Sequence, residues 1–132
     1  MFVNIESCKI VADLRGELIE FLGATNLDAA GLTFGNVYLV TLRGIGTQRG
    51  NHYHKLSQEI FCLLQGSANF TFKNQLTGEC KEFILSADGS EYFKISIDCN
   101  VLHTITAASD FVLVACFSSA VYNPQNEDKY SE

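Results

Sequence analysis

The sequence predicts a single all-β domain, a sandwich or barrel covering residues 1–132. Three observations carry that expectation. Most of the chain falls into short runs rich in β-branched and aromatic residues, several with period-two alternation. Turn-forming residues separate these runs at regular intervals. A chain of 132 residues, 47% of them apolar, can bury one core of ordinary domain size.

The opening stretch CKIVADLRGELIEFLG (8–23) reads as two strands around the turn Asp13-Leu14-Arg15-Gly16. LDAAGL (27–32) suits a turn of helix that Gly31 weakens. VYLVTLR (37–43) is a strand by composition. EIFCLLQ (59–65) is a short apolar run that stops at Gly66. In ANFTFK (68–73) Ala68, Phe70 and Phe72 share one face, with Asn69, Thr71 and Lys73 on the other. KEFILSA (81–87), YFKISI (92–97), VLHTITA (101–107) and FVLVACF (111–117) complete the set.

Composition excludes several function classes. The formal net charge is −6, and the nine Lys and Arg are scattered singly. A nucleic-acid binder would show a basic stripe. A phosphorylated small molecule stays open, because one or two arginines can hold a phosphate in an acidic protein. No apolar run approaches the roughly 18 residues of a membrane span, and the first residues do not read as a signal peptide. The five cysteines include no Cys-x-x-Cys pair, and Cys62 and Cys116 lie in apolar runs as small hydrophobes. A reducing, cytoplasmic setting fits.

The chemistry gathers on three histidines. His52 and His54, two apart, face the same side if they lie on a strand, and Glu59 follows across a short turn. Two imidazoles and a carboxylate suit a divalent transition metal, and His103, on a later strand, is placed to be a fourth ligand. The metal set expected is therefore His52, His54, Glu59 and His103. Zn, Ni, Mn and Fe are all admissible, since affinity alone does not choose among such ions. A satisfied polar histidine is the plainer explanation for any one of these residues.

The spacing of Gly46, His52, His54, Glu59 and Gly66 resembles the first cupin motif at every fixed position. The second motif, Pro-x-Gly-x-x-His-x-x-x-Asn, keeps only His103: Asp98, Asn100 and Ala107 replace its Pro, Gly and Asn. Asn100 is a workable replacement for glycine, because asparagine visits the left-handed region. The resemblance implies a cupin fold, a double-stranded β-helix or jelly-roll barrel.

DLRGELIEF (13–21), RGNHYHK (49–55) and VYNPQNEDKY (121–130) narrow it further. Together they resemble the C-terminal cupin domain of the reductase/epimerase that makes deoxy-amino sugars for bacterial capsules. The tail departs from that family's Pro-Asp-Thr-Tyr ending, with Asn126-Glu127-Asp128-Lys129-Tyr130 in its place. More distantly the chain resembles the metal-free 3,4-ketoisomerases of dTDP-4-keto-6-deoxyglucose, with Tyr53 where they have alanine and Glu59 where they have no such ligand.

These resemblances imply a sugar-nucleotide epimerase or isomerase that takes a proton next to the ketone of a nucleotide-linked 4-keto-6-deoxy sugar. Such chemistry needs a general base and something to hold the enolate oxygen. One imidazole cannot be both metal ligand and base. With a metal bound, the base falls to Tyr53, Tyr92 or Tyr122; without one, it falls to His52 or His54. Arg49 and Lys55 are candidates to meet a diphosphate, with Tyr92 as a further substrate contact, against the alternative of solvated surface charges. Arg15 is expected to tie down the N-terminal strand, and Tyr122 and Tyr130 to cover the barrel mouth or pack the tail. A homodimer is expected, since an N-terminal edge strand would otherwise be exposed. The competing functions are a non-catalytic metal- or sugar-binding module and a metal-dependent dioxygenase.

Overall fold

The computed structural model of the protein describes residues 2–24, 27–28, 31–121 and 123–132. Ten strands form among them: β1 (Val3–Ser7), β2 (Lys9–Asp13), β3 (Gly16–Glu20), β4 (Asn36–Arg43), β5 (Gln48–His52), β6 (Glu59–Asn74), β7 (Cys80–Ala87), β8 (Phe93–Ile97), β9 (Val101–Ala107) and β10 (Phe111–Ser118). Every ladder is antiparallel. One face of the barrel runs β1-β8-β6-β10-β4. The other is built from β5, β9, β6 and β7. β2 and β3 make a separate hairpin around the expected turn, where Asp13 accepts from the Arg15 backbone and side chain.

The two runs expected as separate strands on either side of Gly66 are one strand, β6. Its first half pairs with β8 and β10, and its second half with β7 and β9. Gly66 is the corner at which the strand changes sheet. Its φ is +86°, and a Cβ there would sit 2.1 Å from the Phe111 carbonyl oxygen. Gly66→Ala combines a left-handed backbone with a backbone clash. It is expected to cost about 3 kcal/mol, checked by urea denaturation; a loss below about 1 kcal/mol would mean the corner relaxes freely.

Alternation sets the core. In β9, Val101, His103, Ile105 and Ala107 are buried while Leu102, Thr104 and Thr106 face outward. They meet Phe61, Leu63, Phe70, Phe72, Val112 and Val114 inside the barrel. The unbroken apolar run of early β6 has its own cause. Its other face packs a second cluster in which Cys62 meets Cys8 and Ala115 beneath Ile19 and Phe21, so the strand is buried on both sides. All five cysteines are free thiols, with Cys8, Cys62 and Cys116 buried. β1 and β5 escape the sequence pattern, and β5 (QRGNH) has no apolar residue to signal it. In the predicted helical turn, the Leu32 amide donates to the Leu27 carbonyl at 2.9 Å; Ala29 and Ala30 lie outside the described residues. No helix among the described residues is long and apolar enough to cross a membrane.

Candidate active site

The three histidines and Glu59 converge at one end of the barrel. His103 enters from the inward register of β9 and is 5% exposed. Glu59, the first residue of β6, is 2% exposed. His52 ends β5 directly opposite His103, after a bulge that skips Asn51. Gly50 and Asn51 both have positive φ, and a Cβ on Gly50 would strike the His103 carbonyl at 2.6 Å. The bulge therefore aims His52 inward. His54 lies beyond the strand, so the pleat argument does not apply to it. Its position comes from the tail: its Nδ1–H donates to the carbonyl of Asp128. The result matches the expectation, with the His52 and His54 rings 5.0 Å apart and those of His52 and His103 4.6 Å apart.

Two residues of the site have no signal in the sequence. Tyr38, on β4, donates its hydroxyl to Glu59 Oε2 at 2.7 Å. Asp128 caps the loop between the histidines and Glu59: its carboxylate accepts from the amides of Lys55, Leu56 and Ser57 at 2.8, 2.8 and 3.0 Å. Asn100, in the degenerate second motif, has φ +65° as expected of a glycine replacement, and its amide donates to the His54 carbonyl at 2.6 Å.

The electrostatics separate the imidazoles. Burial, with the neighbouring His103 and His54, pulls His52 down to about 4. Its Nδ1–H donates to the Gly50 carbonyl at 3.1 Å, which leaves Nε2 with a free lone pair. Burial also lowers His54, but Glu59 and the Asp128 carbonyl outweigh it and the net shift is upward. Burial holds His103 down, in the neutral form. Glu59 is pushed up by its burial and pulled down further by His54, His103 and the Tyr38 hydroxyl, so it stays ionised. Burial beside Glu59 pushes the Tyr38 phenol far up; it is a donor and cannot be a base near neutrality.

The cluster fits a divalent cation. The ligand atoms of His52, His54 and His103 all lie within 4.8 Å of one another. Glu59 Oε1 is 2.9 Å from His54 Nε2 and 3.3 Å from His103 Nε2. Because His103 donates through Nδ1 to the Val101 carbonyl at 3.2 Å, its Nε2 presents a lone pair to that carboxylate oxygen. Two buried acceptors facing each other call for positive charge nearby. His54, whose proton is held more tightly than usual beside Glu59, is placed to supply it, and an ion can supply it as well.

Two cavities open onto the cluster. The larger, about 660 Å³, runs from His52, His54 and Glu59 along the tail segment Asn123–Lys129. The smaller, about 350 Å³, is lined by His52, His103, Arg49 and Lys129 among others. Arg49 thus reaches the site, its Nε donating to the Thr41 carbonyl at 3.0 Å. The other candidates go elsewhere. Lys55 lays its ammonium 4.2 Å from the centre of the Tyr130 ring. Tyr53, between two inward histidines, bridges to Tyr130 and packs its ring there, away from both cavities. Tyr92 packs on the Cys8–Cys62 cluster, on the far face of β6 from the histidines. Tyr122 lies outside the described residues.

This architecture has relatives. A 3,4-ketoisomerase from Thermoanaerobacterium thermosaccharolyticum, solved with TDP-4-keto-6-deoxyglucose, superposes with a TM-score of 0.80 at 21% identity, over 99% of this chain and 88% of its own. The dTDP-6-deoxy-D-glucose-3,5-epimerase of Legionella pneumophila gives 0.81 at 20% identity, over 98% and 71%. At these identities the likeness shows the fold, and the expected cupin-type barrel is the fold observed. In sequence, the chain is 28% identical over 121 residues to the UDP-2-acetamido-2,6-beta-L-arabino-hexul-4-ose reductase of Pseudomonas aeruginosa. That match covers 91% of this chain and only 30% of the reductase. The pattern that defines the polysaccharide biosynthesis C-terminal domain runs from residue 11 to residue 130, taking in the hairpin, the histidine loop and the tail that holds His54, and the chain is a member of that family.

Proposed function

We propose that this domain is a sugar-nucleotide epimerase or isomerase, acting by proton abstraction next to the ketone of a nucleotide-linked 4-keto-6-deoxy sugar. The observation that carries the reading is the division of labour between adjacent imidazoles. His52 is neutral, with a free Nε2 lone pair, at the junction of two cavities. His54, one ring away, is held towards the cation by Glu59 and the tail. The substrate class is supported by the proteins the chain resembles. Each of the two cavities, about 660 and about 350 Å³, falls in the size range of small-molecule sites, about 300–1,000 Å³.

In this mechanism His52 Nε2 takes the proton from the carbon beside the ketone. The C–H electrons move into the carbonyl and charge builds on its oxygen. The positive charge of His54 stabilises that oxygen. The centre inverts when solvent protonates the same carbon from the opposite face and His52 releases its proton to solvent; the ketone moves when His52 returns its proton to the former carbonyl carbon and the hydroxyl on the deprotonated carbon passes its proton to the former carbonyl oxygen. Tyr38 holds Glu59 so that its other oxygen faces the imidazoles. Of the tyrosines considered as the base, neither Tyr53 nor Tyr92 lines either of the two cavities at the histidines, which favours His52.

The site also suits a divalent transition ion. With His52 reserved as base, His54, Glu59 and His103 are the residues to hold it, three protein ligands with an open position. A bound ion would supply Lewis-acid charge at the ketone oxygen. The reading includes a homodimer, supported by apolar Val11, Leu14 and Leu18 exposed on the β2–β3 hairpin.

The test is entry of solvent deuterium into the sugar carbon next to the ketone, with UDP- and dTDP-linked 4-keto-6-deoxy sugars. Absence of exchange with all of them would overturn the proposal. The pH profile follows from the shifts. His52 must be unprotonated, so the rate falls as pH drops through about 4. His54 must be protonated in the metal-free protein, so the rate falls again as pH rises through a value above its ordinary 6.5. A single ionisation near 6.5 would show instead that one ordinary histidine governs the reaction.

A further inference from the structure

We propose that Lys129 is a substrate-binding residue of this site, forming with Arg49 the subsite that takes the diphosphate of the nucleotide-linked substrate. The inference rests on the reading above and deepens it.

The chain carries a net charge of −6, yet the smaller cavity is lined by two cationic side chains, Arg49 and Lys129, and by no carboxylate. The acidic side chains Glu59, Glu127 and Asp128 line the larger cavity and not the smaller. Lys129 and His52 line both. A substrate with its diphosphate between Arg49 and Lys129 therefore has His52 next to it, and the larger cavity beyond for the sugar and His54.

The two cations are held in different ways. Arg49 is tethered through Nε to the Thr41 carbonyl at 3.0 Å, which leaves its terminal nitrogens for a bidentate contact. Lys129 hangs from a backbone fixed on both sides. Asp128 before it caps three amides of the histidine loop, and Tyr130 after it exchanges backbone hydrogen bonds of 2.9 and 3.0 Å with Tyr53. None of the ion pairs among the described residues includes Lys129. Lys55, the lysine the sequence favours for this task, has its ammonium over the Tyr130 ring. Lys129 lies in the stretch where the tail departs from the Pro-Asp-Thr-Tyr ending that the rest of it resembles.

Titration calorimetry of the full chain with UDP and dTDP tests the assignment, comparing wild type, Lys129→Ala and Lys129→Arg. Lys129 is exposed, so its replacement leaves the core untouched. Lys129→Ala is expected to weaken the nucleoside diphosphates about tenfold, the size of one lost charge-assisted contact. Lys129→Arg restores binding, and uridine or thymidine, which lack phosphate, bind all three proteins alike. Wild-type binding that Lys129→Ala leaves unchanged overturns this inference alone. Wild type that binds neither UDP nor dTDP, and exchanges no proton in any 4-keto sugar, overturns the functional reading beneath it.

Discussion

Replacing His52 with glutamine is expected to slow deuterium exchange into the 4-keto sugar by about 10²- to 10⁴-fold, the usual contribution of a positioned general base. The side chain remains polar and the fold has little at stake, because His52 ends an irregular edge strand and is only half-buried. Urea midpoints close to wild type are therefore expected beside the loss of rate. His54→Gln should slow exchange too, and the pH profile separates the two roles. Loss of His52 abolishes the acid limb near pH 4, since the group that must be unprotonated is gone. Loss of His54 abolishes the alkaline limb, since the group that must be protonated is gone. If His52→Gln exchanged at the wild-type rate, the base would have to be sought among residues such as Tyr122. If both limbs survived in both variants, neither imidazole would be titrating in the reaction.

The ingredients of the site were legible in the sequence to different depths, for physical reasons. His103 was placed by alternation alone, because β9 keeps a strict period of two and its odd residues are all inward. Glu59 was placed by motif spacing. The His52–His54 pair was expected on one face for a reason the structure replaces. A strand would have aligned them, but the strand ends at His52, and the tail aligns His54 instead. Asp128 and Tyr38 could not be found from the chain. Asp128 acts 74 residues from His54 through a carbonyl oxygen that every residue type possesses. Tyr38 sits in a strand whose composition is fully explained by β propensity. Lys55 and Tyr53 were misplaced for one common reason: they follow inward histidines in sequence, so they turn away and meet Tyr130. The same long-range pairing hid the continuity of β6. Gly66 reads locally as a terminator, and only the Phe111 carbonyl packed against it shows why glycine is needed at a corner rather than an end.

The second large effect is expected at Glu59. It is the least exposed charge in the site, and it answers to His54 and Tyr38 at once. Removing one partner of a buried ion pair typically costs about 3–5 kcal/mol. Glu59→Gln belongs at the lower end, since glutamine keeps the volume and can still accept from Tyr38. The penalty carries a pH signature. The Glu59 carboxyl is held below its ordinary 4.5, so its contribution is fully present above that value and is lost as pH falls through the depressed one. The His54 imidazole is held above its ordinary 6.5, so its contribution is fully present below 6.5 and is lost as pH rises through the raised value. The pair is complete between about 4.5 and 6.5, and there Glu59→Gln should hurt most. Urea denaturation of wild type and variant at pH 5.5 and at pH 9 measures the difference. A smaller penalty at pH 9 identifies charge pairing with His54 as the source. An equal penalty at both values would assign the loss to packing and to the Tyr38 hydrogen bond, and would remove the reason to regard His54 as a cation at all. Zinc titration of the same two proteins adds an independent readout, since a carboxylate that belongs to a three-ligand site should cost the variant much of its affinity.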